Sequence, residues 1–410
     1  MQRLRIALLS YRAHPHVGGQ GVYVTYLARA LTRLGHSVEV FSGPPYPELS
    51  GVPLTRVPSL DLYRSDDPFR RPALGEFTDE IDLLEYASMC VGRFPEPLTF
   101  SLRVARILGS RSREFDIVHD NQCLGYGLLR LHGKLPVVAT VHHPITIDKR
   151  LAVAHASRRK ERRRLKRWYS FTKMQARVAR GLNHLMTVSE AALDDVVSEF
   201  DVERPAVSVV HNGVDQELFR PLEDIDKVPG RIICVTNAGL PMKGLAFLVE
   251  ALAKLRTERD AHLVVVAKNG DTRRVRLEAR RFGVEDHVRV HESVDALHLV
   301  ELFASAEVAV VPSLYEGFSL PAVEAMSCGI PLVTTTGGAL PEVVGGDGEA
   351  SLHVPPGDAA ALATATERLL DDVVLRDGMG AAGRARVLER FTWETTARAT
   401  VDVYRRALSC

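Results

Sequence analysis

The sequence predicts an α/β protein made of two doubly wound, Rossmann-like domains, and three observations lead there. Short apolar runs alternate with amphipathic stretches of helical spacing along the chain, and the alternation restarts near residue 230. Strands that alternate with helices in this way form parallel sheets covered on both faces. The 410 residues are also too many for one ordinary core and suit two.

In order, residues 4–9 are an apolar run, and 19–34 carry helical spacing through Val22, Tyr26, Leu27, Ala30, Leu31 and Leu34. Gly35 stands where a C-capping glycine belongs, and residues 38–41 give the next strand. Further strands are expected at 117–118, 137–140, 185–188 and 207–210. The second series reads as a strand at 231–235, a helix at 244–255 and a strand at 262–267, then strands at 288–290, 308–311, 332–334 and 352–354. The expected domains are therefore 1–205 and 206–393, with a last helix, 394–410, crossing back to the first. His211-Asn212-Gly213-Val214-Asp215 is the turn-rich link and hinge candidate. Residues 43–75, rich in Pro, Asp and Arg, read as a long irregular segment beside the site.

Composition narrows the class. Hydrophobic residues at 46% and charged residues at 25% are ordinary for a globular chain. No run of eighteen apolar residues predicts a transmembrane helix. The basic-then-apolar start resembles a signal peptide, but Tyr11, Arg12 and His14 follow a short apolar stretch with no cleavage site, so it reads as a buried strand. Five scattered cysteines without metal spacing point to a reducing cytoplasm, without disulfides or zinc. The net charge of +1 divides into +8 for residues 1–205 and −7 for the remainder, as expected of domains with different partners. Residues 158–180 hold eleven Lys/Arg against the single acid Glu161, with Leu165, Trp168, Tyr169, Phe171 and Met174 among them. This stretch suits anionic lipid headgroups at the inner membrane face, or is a solvated helix that offsets the acidic second domain.

Four motifs carry chemistry. Gly18-Gly19-Gln20-Gly21 precedes the first helix, where glycines admit close approach and helix amides attract phosphate; a structural turn is the alternative. Seven residues separate it from the strand, which disfavours the dinucleotide fingerprint even though Glu39 lies in the second strand. Pro312 to Met326 ends a strand and opens a helix: Ser319 is the expected cap, the amides about Gly317, Phe318, Ser319 and Leu320 suit phosphate, Glu324 suits a ribose diol, and Glu316 suits sugar hydroxyls. Lys243-Gly244 follows a strand end, placing a lysine to neutralise a diphosphate, unless it is a solvated helix-start residue. His142-His143 ends another strand, where a histidine donates to substrate or to a buried carbonyl. No third ligand has convincing spacing, so no metal is expected.

Together and in this order, these motifs resemble glycosyltransferase family 4. Glu316 to Glu324 matches its glutamate-x7-glutamate motif, Gly18-Gly19 its phosphate loop, Asn212-Gly213-Val214-Asp215 its interdomain link, Lys243-Gly244 its donor-phosphate lysine, and Phe391-Thr392-Trp393 its Phe-x-Trp. His142 matches the active-site histidine, with His143 the alternative. Ala238 stands where the family usually carries an arginine, leaving Lys243, Asn237 or Arg12 to complete the diphosphate clamp.

The resemblance implies a GT-B fold, two Rossmann-like domains facing each other across a cleft. It implies a retaining, metal-free hexosyltransferase that uses a nucleotide diphosphate sugar and no other cofactor, with an acceptor that the sequence does not identify. His142, Lys243 and Glu316 would serve catalysis, and Gly18, Gly19, Lys243, Gly317, Phe318, Ser319, Leu320 and Glu324 would bind the donor. Two other readings remain: a nucleotide-sugar epimerase of the same fold, whose paired acid and base groups have no evident candidates, and a non-catalytic anionic-polymer binder. Nucleic acid is not expected, because the arginines are concentrated in one segment.

Overall fold

The computed structural model describes residues 3–13, 19–64, 66–267 and 270–409. The chain divides into two compact units. The first comprises Met1–Val188, Ala192–Val210 and Thr396–Cys410; the second comprises Ser189–Ala191 and His211–Thr395.

The first unit holds a parallel sheet of β1 (Arg5–Ser10), β2 (Ser37–Ser42), β3 (Leu54–Arg56), β4 (Ile117–Asn121), β5 (Val137–Val141), β6 (His184–Thr187) and β7 (Val207–Val209), in the order β3-β2-β1-β4-β5-β6-β7. The second holds β8 (Arg231–Thr236), β9 (His262–Ala267), β10 (Val288–Glu292), β11 (Val308–Val311), β12 (Leu332–Thr335) and β13 (Ser351–Val354), in the order β10-β9-β8-β11-β12-β13. Both orders reverse beside the first strand, at β1/β4 and at β8/β11, the switch points where open α/β sheets bind ligands outside the strands' carboxyl ends. The central strands β4, β5 and β11 are buried along their whole length, as strands covered on both faces must be.

Two expectations from the sequence need correction. The 43–75 segment contains β3, which adds to the sheet edge in register Val40↔Leu54; three residues are too few to display an alternating pattern. The basic stretch is not one helix: Arg159–Trp168 buries nothing, while Thr172–Arg180 buries Met174, Gln175, Val178 and Ala179. From Thr396 onward, the last helix, Trp393–Ser409, belongs to the first unit.

Candidate active site

In the first unit, the strand ends carry a hydrogen-bonded set of neutral groups. Asn121 on β4 lies opposite Thr140 on β5, so by the two-residue period His119 and Asn121 share a sheet face with Thr140 and His142. The amide of His142 donates to Gln122 Oε1 at 2.7 Å, and its ring Nε2 lies 2.7 Å from Asn121 Oδ1. Asn121 Nδ2 donates to the Gln20 carbonyl at 3.3 Å, which fixes the orientation of the amide. An amide oxygen only accepts, so the proton of His142 sits on Nε2 and Nδ1 is an acceptor. Of the two expected roles, donation to substrate or to a buried carbonyl, the ring N–H of His142 takes the second. Burial holds the ring down at about 4, keeping it neutral. Tyr23 stands edge-on to it, with ring centroids 4.5 Å apart. His143 points elsewhere, to Asp148 at 3.2 Å.

Gly19 opens the first helix, Gly19–Arg33, whereas Gly18 lies outside the described residues. Glu39, the residue that a dinucleotide reading would use, is held by Arg111 in two 2.9 Å bonds and accepts from Thr55 at 2.5 Å. Arg12 is also occupied: it bonds the Tyr63 carbonyl at 2.9 Å and approaches Glu96 at 3.2 Å. Burial pushes the Glu96 carboxyl up to about 8.

In the second unit, the loops after β8 and β11 are joined by backbone contacts. Leu314 N–H donates to the Met242 carbonyl at 2.7 Å, and Gly244 adopts φ 69°. A Cβ on Gly244 would stand 1.9 Å from the Pro312 carbonyl oxygen, so only glycine admits this approach. The junction brings Lys243 Nζ to Glu316 Oε1 at 2.7 Å, and Ser313 Oγ donates to the same oxygen at 2.7 Å. The Glu316 carbonyl accepts from Ala339 N–H at 2.9 Å, and a Cβ on Gly338 would lie 2.3 Å from it. Lys243 and Glu316, 73 residues apart, thus form a half-buried ion pair.

The helix Leu320–Ser327 starts beside this pair. Ser319 occupies its N-cap position but has φ 81°, and its side chain makes no capping bond, correcting the expected cap; its buried Oγ has no partner. The ring of Phe318 is buried against Phe391 (5.8 Å) and His211 (6.2 Å), so its side chain anchors the loop and only its backbone is suited to a ligand. The Gly317 carbonyl accepts from Ser189 Oγ at 2.5 Å. Leu320 is half-buried in the first turn. Glu324, also half-buried and one turn further on, has its carboxyl pushed up to about 7 by burial. Ala238, at 3% exposure, belongs to the second core, so this position faces inward rather than toward a phosphate. Arg274 is a cation that sequence reasoning missed. It stands in the first turn after β9 and donates to the Gly239 carbonyl at 3.1 Å, beside the Lys243 loop. One arginine in a basic helix has no sequence signal that sets it apart.

The link and the Phe-x-Trp motif meet each other. Val214 N–H donates to the Phe391 carbonyl at 2.8 Å, and a Cβ on Gly213 would lie 2.5 Å from Trp393 N. Among the described residues no group of three His, Cys, Asp or Glu could hold a metal ion, and no helix is long and apolar enough to cross a membrane.

The site and fold define a glycosyltransferase of GT-B architecture, and the family comparisons agree. Residues 17–218 match the model for Glycosyltransferase Family 4, and residues 229–372 match that for group 1 glycosyl transferases. The chain is 50% identical over 412 residues to an MMP alpha-(1->4)-mannosyltransferase of Mycolicibacterium hassiacum, covering 99% of each. It is 28% identical to a D-inositol 3-phosphate glycosyltransferase of Streptomyces avermitilis, over 98% of this chain and 88% of that one. Among solved structures, sucrose-phosphate synthase from Thermosynechococcus elongatus superposes with a TM-score of 0.74 at 23% identity, covering 99% of this chain and 100% of that one. An Anabaena HepE structure in complex with UDP-glucose gives 0.69 at 15% identity, covering 100% of both. The chain belongs to glycosyltransferase family 4 and is a hexosyltransferase.

Proposed function

We propose that this protein moves a mannosyl residue, with retention of configuration, from a nucleoside diphosphate sugar to the 4-hydroxyl of a glycan acceptor. The observation that carries this reading is the 50% identity, along the whole chain, to an alpha-(1->4)-mannosyltransferase. The nucleotide donor is supported by the Lys243–Glu316 pair and the helix start at Leu320, which has no side-chain cap, and by UDP-glucose in a structure of the same fold.

The bond from the anomeric carbon to the diphosphate breaks, the bond to the acceptor oxygen forms, and the acceptor proton passes to the departing phosphate oxygen on the same face. Charge therefore builds on the leaving diphosphate, and stabilising it is the main catalytic task. Lys243 supplies the cation. Glu316, itself held by the Ser313 hydroxyl, holds the ammonium in place, while the ammonium's remaining hydrogens turn to phosphate. Arg274 stands in for the cation absent at Ala238. The Ser319 and Leu320 amides add helix-end dipoles. Oε2 of Glu316 addresses a sugar hydroxyl, Glu324 accepts from the ribose diol, and His142 accepts a substrate hydroxyl at Nδ1. These charges replace a divalent cation, so transfer continues in EDTA.

The helix Arg159–Trp168, basic on every exposed side, supports peripheral contact with anionic lipid from the cytoplasmic side. Purified protein supplied with GDP-, UDP- or ADP-mannose and manno-oligosaccharides tests the main reading. Acceptor-dependent nucleotide release with a new α-(1→4) linkage is expected. Interconversion of the sugar, or no turnover with any donor, would overturn it.

A further inference from the structure

The last helix carries a buried polar contact that the proposed reaction does not use directly. Tyr404 is among the largest fully buried side chains, and its hydroxyl lies 2.7 Å from His119 Nδ1. The other ring nitrogen, Nε2, lies 2.7 Å from Thr140 Oγ1, and the Tyr23 hydroxyl lies 3.4 Å from that same oxygen. His119, Thr140 and Tyr404 are at most 2% exposed, and Tyr23 is 4% exposed. The chain of contacts ends at the substrate histidine, because the ring of Tyr23 packs edge-on against His142.

Both ends of this chain serve one sheet face. Thr140 and His142 are two residues apart at the end of β5, and His119 and Asn121 are two apart on β4. His119 bears on Thr140 as Asn121 bears on His142, so the two pairs stack along the same strands. A neutral imidazole has one donor and one acceptor nitrogen, and the tyrosine and threonine hydroxyls satisfy both, whichever tautomer forms. Burial keeps His119 neutral, at about 3. Both nitrogens of His119 are satisfied by hydroxyls, so removing the Tyr404 hydroxyl leaves a buried imidazole nitrogen unsatisfied and loosens its neighbours.

We propose that Tyr404, on the last helix, is a positioning residue: through His119, Thr140 and Tyr23 it fixes the ring of His142 for substrate. The inference rests on the role of His142 in the proposed reaction. It makes the C-terminal helix a working part of the first unit's site rather than a clasp. The helix is anchored for this by Val403 and Ala397, both within 1% exposure, and by Arg406 donating to Ser208 on β7 at 3.0 Å.

The test uses the full-length protein with saturating donor and acceptor. Tyr404→Phe keeps the ring and removes the hydroxyl. It should lower kcat about tenfold, since small displacements of a positioning group cost this much or more, and change the donor KM less than twofold. The acid limb of the kcat profile should move to higher pH, because a loosened His142 accepts a proton more readily. In a His142→Asn background, Tyr404→Phe should have no further effect on kcat. Thr140→Val breaks the same chain one link nearer and should reproduce the loss if Tyr404→Phe fails to fold. A Tyr404→Phe protein with lower Tm but unchanged kcat and acid limb overturns the inference alone, as does an equal kcat loss in both backgrounds. Full transfer by His142→Asn would instead overturn the role of His142, and this inference with it.

Discussion

The carboxyl edges of the two sheets repeat one topology with opposite electrostatics. In the first unit the site is a set of neutral groups: His142 and His119 are kept uncharged by burial, hydroxyls meet both nitrogens of His119, and an amide oxygen meets Nε2 of His142. In the second it is charged: Lys243 pairs with Glu316, Arg274 bonds the Gly239 carbonyl, and burial pushes the Glu324 carboxyl up to about 7. The difference fits the task proposed for each edge. Holding a diphosphate calls for fixed cations and helix dipoles, whereas reading sugar hydroxyls calls for neutral donors and acceptors of fixed direction.

This contrast is open to experiment, and the strongest test is at the charged edge. Lys243→Ala should lower kcat about a thousandfold, the scale of losing one transition-state donor in a dry site. His142→Asn should cost less, about a hundredfold, since a neutral hydrogen bond is the weaker interaction. Steady-state nucleotide release measures both, and equal losses would erase the distinction between the edges.

Gly244→Ala should destabilise the protein by about 2 kcal/mol, through a positive φ and a collision with the Pro312 carbonyl oxygen. Gly35→Ala, with φ 89° and nothing within 4 Å, should cost about 1 kcal/mol from φ alone. Thermal denaturation compares the two, and a smaller loss at Gly244 would deny that the junction is tight.

The smallest effect concerns pH. Burial pushes the Glu324 carboxyl up to about 7, and hydroxyls of a bound ribose would favour its charged form. Nucleotide affinity should therefore rise as pH increases through 7 and fall below it, by up to about tenfold. Glu324→Gln should remove this dependence in a titration calorimetry series. A wild-type affinity independent of pH would leave Glu324 without its proposed role.

Much of this architecture was legible in the sequence. The strand-helix alternation that marks Ile117–Asn121 or Val308–Val311 is a local pattern, because burial on both faces demands continuous apolar residues. Lys243, Glu316 and Glu324 could be picked out because strand-to-helix turns with Gly and Pro are likewise local signals. The strand Leu54–Arg56 was not legible, being three residues whose identity as a strand comes only from pairing with Val40–Ser42. The Ser319 cap was misread because sequence specifies a residue type at a position and not its φ of 81°.

Fold class and two-unit organisation needed nothing beyond the order of the residues, since each is written in short-range spacing. How the groups of the candidate site are wired together came from the folded chain. The ion pair between Lys243 and Glu316 joins residues 73 apart. The tautomer of His142 depends on Asn121 and on the Gln20 carbonyl, 101 residues before Asn121. The Tyr404 hydroxyl reaches His119 across 285 residues. Hydrogen bonds and ion pairs act over about 3 Å in space, and only the folded sheet brings such distant positions that close.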